Sequence, residues 1–158
     1  MIAVVTDVRY RMSLALIRDL SEAGVTVVTC EGERCRGSAA SPALGALSRH
    51  TSRHVWLPEG QGTQPLWQLC RQLTEERGER PALLPVGAAT LAALAADRER
   101  FDAVCGLCIP TPAQLALFNS KERLAALAAG LDVPVPESFV RSPGEPAEAF
   151  IRRLPLPC

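Results

Sequence analysis

The opening stretch of the chain, residues 1–30, is MIAVVTDVRYRMSLALIRDLSEAGVTVVTC, and it decides the fold class. Ile2–Thr6 and Val25–Cys30 are short apolar runs rich in β-branched residues, which is typical of strands buried on both faces of a parallel sheet. Between them an apolar stripe with helical spacing follows Ser13, which we predict to cap the helix, and Gly24 ends it. A strand, a helix and a second strand joined this closely predict a right-handed parallel crossover.

The same alternation of strands and helices continues along the chain. An irregular stretch, Glu31–Arg53, comes first and is predicted to hold one short helix at Ala43–Leu47. The further strands are predicted at His54–Leu57, Ala82–Val86 and, as a short fifth one, Ala103–Cys105; the further helices are predicted at Gln64–Arg77 and Thr90–Arg98. Because strands alternate with helices, the predicted fold is α/β, a Rossmann-like doubly wound parallel sheet of four or five strands.

The character of the sequence changes after Pro112. Two helical patterns follow one another directly, Pro112–Phe118 and Ser120–Ala129. An extended piece is predicted to start at Phe139, and Pro146 is placed at the first position of a last helix. These features are predicted to form a part of the chain that is separate from the parallel sheet.

Composition and charge exclude several classes of partner. The sequence has 17 basic and 17 acidic residues, so its formal net charge is zero, whereas nucleic-acid binders usually carry a basic excess. The longest uncharged run, Pro81–Ala96, is too short to cross a bilayer. The first residues show no pattern of a secretory signal. We therefore expect no nucleic acid and no membrane as partners, and a cytoplasmic location.

Six cysteines raise the question of metal binding or redox chemistry. Cys105-Gly-Leu-Cys108 has the spacing of a redox motif or of half a zinc site. The second half of a zinc site would have to come from Cys30 and Cys35, which belong to a different predicted strand. We expect neutral thiols that bind no metal, and a small thiol- or zinc-dependent protein remains an alternative.

Candidate binding residues follow from the sheet, since ligands bind beyond the carboxyl ends of parallel strands. Three loops are expected there, Asp7–Met12, Glu31–Arg36 and Gly87–Thr90. None carries a dinucleotide fingerprint or a Walker A motif. Arg9 and Arg11 could bind a carboxylate or phosphate beside the start of the first helix; the alternative is that they only pair with nearby acids.

The two histidines are His50 and His54, four residues apart. That spacing could bind a metal on a helix, but His54 starts a predicted strand and His50 lies in a loop. We interpret both as solvated surface residues.

A family resemblance is carried by the stretch 118–140, FNSKERLAALAAGLDVPVPESFV. Asn119 and Lys121 open an apolar helix, Gly130 follows it, and Val133–Pro136 reads VPVP. This order resembles the segment through which ATP-grasp ligases pass from an N-terminal Rossmann-like domain into the ATP-binding domain.

Three earlier stretches extend the resemblance over nearly the whole chain. They are RYRMSLALIRDL at Arg9–Leu20, ALSRHTSRHVWLP at Ala46–Pro58 and LLPVG at Leu83–Gly87. They are similar, in the same order, to motifs of the carbamoyl-phosphate-synthase-like carboxylate–amine ligases. A departure is that Ala88 and Ala89 stand where that branch often has acidic or polar residues.

The resemblance implies a domain organisation: residues 1–117 form a pre-ATP-grasp domain, and residues 118–158 the incomplete beginning of an ATP-grasp domain. It implies, for the complete enzyme, ATP and Mg²⁺ as cofactors and small-molecule carboxylate and amine substrates joined through an acyl phosphate. Neither cofactor is expected to bind tightly to this chain alone. Lys121 matches the family's lysine that reaches the ATP phosphates. The family's second nucleotide lysine and its metal-binding pair have no counterpart in this sequence.

We therefore expect an N-terminal fragment of a ligase that is inactive by itself. The alternative is a stand-alone α/β interaction or regulatory domain without catalysis. Because the helix after Ser120 is rich in Leu and Ala, we also expect self-association through the C-terminal third of the chain.

Overall fold

The computed structural model describes residues 1–40, 42–137 and 139–155. The chain divides into two compact units, Met1–Pro112 and a second unit from Ala113 onward. The predicted boundary after residue 117 stays a prediction. The first unit holds the sheet and is described first.

Five parallel strands form one sheet in the order β3-β2-β1-β4-β5. The strands are β1 (Ile2–Val5), β2 (Thr26–Gly32), β3 (Arg53–Leu57), β4 (Ala82–Leu84) and β5 (Gly106–Leu107). The parallel pairing of β1 with β2 and the Rossmann-like α/β class are confirmed. All of β1 is buried. It is the central strand, paired with β2 and β4, and a parallel strand covered on both faces has a continuously apolar sequence.

The connections of the first unit are helical. They are α1 (Arg11–Glu22), α2 (Gln64–Arg77), α3 (Ala88–Ala96), α4 (Arg98–Asp102) and two 3₁₀ turns, Glu33–Cys35 and Leu44–Leu47. The predicted bounds of α2 are confirmed, and Gly78 ends that helix in the left-handed conformation at φ 69°. The single predicted helix Thr90–Arg98 is instead two helices that meet at Asp97.

Two further sequence predictions are wrong in detail. Ser13 does not cap α1: the helix begins at Arg11, and the buried Ser13 hydroxyl donates to the Asp7 carbonyl at 2.9 Å. The fifth strand is not Ala103–Cys105, because the Val104 and Cys105 amides still donate to the Phe101 carbonyl. The strand starts where the Gly106 amide donates to the Pro81 carbonyl at 2.9 Å.

A close approach at Gly45 joins α1 to the irregular stretch. The Gly45 amide donates to the Val8 carbonyl at 3.0 Å. A Cβ at this position would lie 2.6 Å from Val8 Cβ and 2.9 Å from Ile17 Cδ1. Val8 and Ile17 are fully buried in the cluster that packs on this face of the sheet, so the stretch can pack here only with glycine.

The second unit contains α5 (Pro112–Phe118) except for its first residue, together with α6 (Lys121–Gly130) and α7 (Ala147–Arg152). Ser120 caps α6 by accepting the Arg123 amide at 3.2 Å. None of the described residues from 113 to 155 is buried. Leu131 and Val133 are more than half exposed, and the predicted self-association stays a prediction.

Replacing Gly45 with alanine is expected to destabilise the protein by about 1–3 kcal/mol, because the new methyl group overpacks Val8 and Ile17. Gly106→Ala is the matched control: its Cβ would meet only the Pro81 carbonyl oxygen, at 3.9 Å, so a change within about 0.5 kcal/mol is expected. Chemical denaturation of both variants measures the difference. Equal stability of the two would contradict the packing described at Gly45.

Candidate functional site

A cavity of about 290 Å³ lies at the carboxyl ends of the strands. Residues following β1, β2, β3 and β4 line it, so it sits where the strand order reverses around β1, the usual ligand position in such sheets. The lining residues are Thr6, Asp7, Arg9, Cys30, Glu31, Gly32, Arg34, Leu57, Pro58, Glu59, Gly60, Gly62, Leu66, Ala89 and Thr90. The three loops named from the sequence therefore meet here, together with a fourth after β3.

Asp7 joins the loop after β1 to the loop after β4. Its carboxylate accepts the Gly87 amide and the Thr90 hydroxyl, each at 2.9 Å, and also the Thr6 hydroxyl. Its backbone is left-handed at φ 55°, a conformation that aspartate tolerates better than most residues. A Cβ on Gly87 would lie 2.5 Å from a carboxylate oxygen of Asp7, so only glycine fits against this bridge.

Arg9 is held by acids inside the cavity. Its guanidinium donates to Glu31 at 2.5 Å and lies 3.7 Å from Asp7, and its amide donates to Glu31 at 3.2 Å. Glu31 is only 4 % exposed and also accepts the Gly32 amide at 3.0 Å. A buried carboxylate needs such partners, so Arg9 and Glu31 form one charged unit.

A second, looser ion pair lies at the rim of the cavity. Arg34 Nε is 4.0 Å from Glu59 Oε1, and the two side chains are 70 % and 51 % exposed. The Arg34 amide donates to the same oxygen at 3.4 Å. Gly32 leaves room for this carboxylate, since a Cβ there would lie 2.6 Å from it.

His54 on β3 is not the solvated residue that the sequence suggested. One ring nitrogen, Nδ1, is 2.8 Å from the Thr29 hydroxyl, and the ring packs edge-on against Trp56. The other nitrogen, Nε2, is buried without a hydrogen-bond partner. Burial lowers the pKa of His54, although the charge of Glu31 acts in the opposite direction.

The cysteines of the described part of the chain are free thiols. Cys30, Cys35, Cys70 and Cys105 are buried, and Cys108 is exposed; Cys158 lies outside the described residues. Burial raises the pKa of Cys30, with the charges of Asp7 and Glu31 adding to the effect, so this thiol is neutral. Within residues 1–40, 42–137 and 139–155 there is no group of three His, Cys, Asp or Glu side chains that could hold a metal ion.

The predicted site residues have different positions. Arg9 lines the cavity. Arg11 is exposed as the first residue of α1 and is not among the lining residues. Lys121 is exposed as the first residue of α6 in the second unit.

Sequence reasoning missed the roles of Glu31, Arg34 and Glu59. Both Glu31 and Arg34 belong to the predicted loop Glu31–Arg36. In the structure Glu31 lies at the end of β2 and Arg34 in the 3₁₀ turn that follows, and their pairings were not foreseen. For Glu59 the available signal was its position in the glycine-rich turn after the third predicted strand.

Comparison with known proteins supports the fold. No family model and no curated protein matches the sequence significantly. Among solved structures, the chain is similar to the biotin carboxylase domain of a single-chain bacterial carboxylase, with a TM-score of 0.57 and 22% sequence identity. The match covers 96% of this chain and 34% of that one, so the chain spans about a third of the neighbour's length.

Within the described ranges, no helix is both long enough and apolar enough to cross a membrane.

The lowered pKa of His54 predicts how stability depends on pH. The unfolded chain protonates His54 at its ordinary pKa of about 6.5, before the folded chain does. The contribution of neutral His54 to the free energy of unfolding is therefore fully present above about pH 6.5. It is lost as the pH falls through that value towards the lower pKa of the folded chain. The midpoint temperature of thermal unfolding, measured between about pH 7.5 and pH 5, is expected to fall over this range.

The variant His54→Gln is expected to flatten the decline, because it removes the group that the unfolded chain protonates. His50→Gln removes an imidazole elsewhere and separates this effect from general loss of a histidine. An identical pH dependence in the wild type and in His54→Gln would contradict the assignment.

Proposed function

We propose that this chain is the N-terminal, substrate-binding part of an ATP-dependent carboxylate–amine ligase of the carbamoyl-phosphate-synthase-like branch. The observation that carries the proposal is the 3-2-1-4-5 parallel sheet with a charged cavity at its carboxyl edge. The likeness of its fold to a biotin carboxylase domain, which extends over 96% of the chain, is consistent with it. Support for the carbamoyl-phosphate-synthase-like branch comes from the sequence motifs at residues 9–20, 46–58, 83–87 and 118–140.

The reaction of the complete enzyme would have two steps. The γ-phosphoryl group of ATP is transferred to a substrate carboxylate, which forms an acyl phosphate and releases ADP. The amine substrate then attacks the acyl carbon and displaces phosphate. Catalysis of such a transfer rests on positioning and on positive charge near the phosphates.

In that reaction the residues of this chain would bind the substrate and the ATP phosphates. Arg9 belongs to the charged unit in the cavity and is proposed to help bind the substrate; Arg11 is not among the lining residues, so the proposal for the cavity rests on Arg9. Lys121 is proposed to bind the ATP phosphates with its ammonium group. The described residues contain no group of side chains that fits Mg²⁺.

Lys121 is the single lysine in the sequence, which allows a direct test. An acyl phosphate derivative of ATP transfers its acyl group to a lysine beside the bound phosphates: the amine attacks the acyl carbon, an amide forms and ATP leaves. Mass spectrometry is expected to find the label on Lys121. ATP in large excess, needed because the chain alone is expected to bind it only weakly, is expected to suppress the label. The chain alone is expected to form no acyl phosphate.

The α-amino group of Met1 is the internal control, because it reports acylation that does not depend on a nucleotide site. Lys121→Arg keeps the charge but removes the acceptor amine, so labelling at that peptide is lost. Equal labelling of Met1 and Lys121 that excess ATP leaves unchanged would overturn the proposed function.

A further inference from the structure

The charges lining the cavity fall into an inner and an outer group. The inner group is Asp7, Arg9 and Glu31, which are mostly shielded from solvent. The outer group is the exposed pair Arg34 and Glu59 at the rim. The two groups differ in net charge and in how firmly their partners are held, and each difference bears on the ligand.

The inner group has one more carboxylate than it has guanidinium groups, so it carries a net negative charge. Arg9 already donates to Glu31 through its amide and its side chain, and a further guanidinium nitrogen donates to the Tyr10 hydroxyl at 3.2 Å. A ligand carboxylate placed here would face Asp7 and Glu31 as well as Arg9. An ammonium group would instead meet the excess negative charge.

The outer group is suited to a ligand carboxylate. At 4.0 Å and with most of its side chain in solvent, Arg34 is weakly paired with Glu59, and exposed pairs of this kind contribute about 0–1 kcal/mol. Arg34 can therefore change partner at little cost. Its guanidinium offers the planar set of donors that matches a carboxylate.

The size and apolar lining of the cavity limit the ligand further. A volume of about 290 Å³ is at the lower end of the roughly 300–1,000 Å³ typical of small-molecule pockets. Leu57, Leu66 and Ala89 add apolar surface to the lining of the cavity. This arrangement leaves room for a short carbon skeleton.

We propose that the cavity binds a small zwitterion of the α-amino acid type, with its ammonium group towards Asp7 and Glu31 and its carboxylate towards Arg34. This inference rests on the proposed function, because it identifies the chemical class of the substrate bound at the same cavity. It assigns Arg34 as the carboxylate-binding residue and the carboxylates of Asp7 and Glu31, which Arg9 holds in position, as the amine-binding groups.

The test is an NMR titration of the ¹⁵N-labelled full chain with L-alanine, propionate and propylamine. L-alanine is expected to cause saturable shifts at lining residues such as Gly32, Gly60 and Thr90. Propionate lacks the ammonium group and is expected to bind at least about tenfold more weakly, because hydrogen bonds to charged groups contribute about 1.5–3 kcal/mol. Propylamine lacks the carboxylate and is expected to bind about fivefold more weakly, as loss of an exposed ion pair implies.

Three variants sharpen the result. Arg34→Gln is expected to weaken L-alanine binding about fivefold, as loss of an exposed ion pair implies. Arg36→Gln is the matched control, because Arg36 is exposed but does not line the cavity. Ala89→Leu fills the cavity from an exposed position without changing a charge, so it is expected to abolish binding and leave thermal unfolding unchanged.

Propionate binding as tight as that of L-alanine would overturn the inference, and so would the absence of saturable shifts with L-alanine in a folded chain. Equal affinity in Arg34→Gln and Arg36→Gln would overturn the assignment of Arg34. Labelling of Lys121 by the nucleotide derivative is measured separately, so a failure of the amino acid inference is distinguishable from a failure of the proposed function.

Discussion

The carboxylate of Asp7 is the interaction on which the site depends. It follows the central strand, and it binds the Gly87 amide and the Thr90 hydroxyl of the loop after β4. A buried carboxylate with charged or polar hydrogen bonds on several sides is strongly fixed in place. Its left-handed backbone turns the chain away from the strand towards α1. This bridge fixes the loop after β1 against the loop after β4, and both loops line the cavity.

The functional proposal follows from the charges around this bridge. Arg9 is paired with two carboxylates, those of Asp7 and Glu31. The interior of the cavity therefore carries a net negative charge although it contains a guanidinium. Glycines at 32 and 87 admit the carboxylates of Glu59 and Asp7, respectively, at distances that a Cβ would forbid. The glycines thus let these carboxylates approach the backbone closely. The excess of carboxylates in the interior of the cavity favours a ligand that carries an amine.

The sequence predicted those parts of the fold that depend on local pattern. The apolar runs of β1 and β2 and the periodicity and closing glycine of α2 were sufficient to place them. The prediction for Ser13 was wrong because its hydroxyl has a partner, the Asp7 carbonyl, that depends on the turn after β1. Arg9 was found as a cavity residue from its position after a strand, but its pairing with Glu31 joins residues distant in sequence. No spacing rule predicts such a contact, or the rim pair of Arg34 and Glu59.

Native-state hydrogen exchange of the Gly87 amide in Asp7→Gly tests the central claim most directly. Glycine adopts the left-handed backbone freely, so this variant removes the carboxylate without adding strain. Loss of a hydrogen bond to a charged group predicts exchange at Gly87 that is faster by about tenfold or more, with lower global stability. Unchanged exchange at Gly87 together with unchanged stability would show that the carboxylate does not hold the two loops, and would contradict the account.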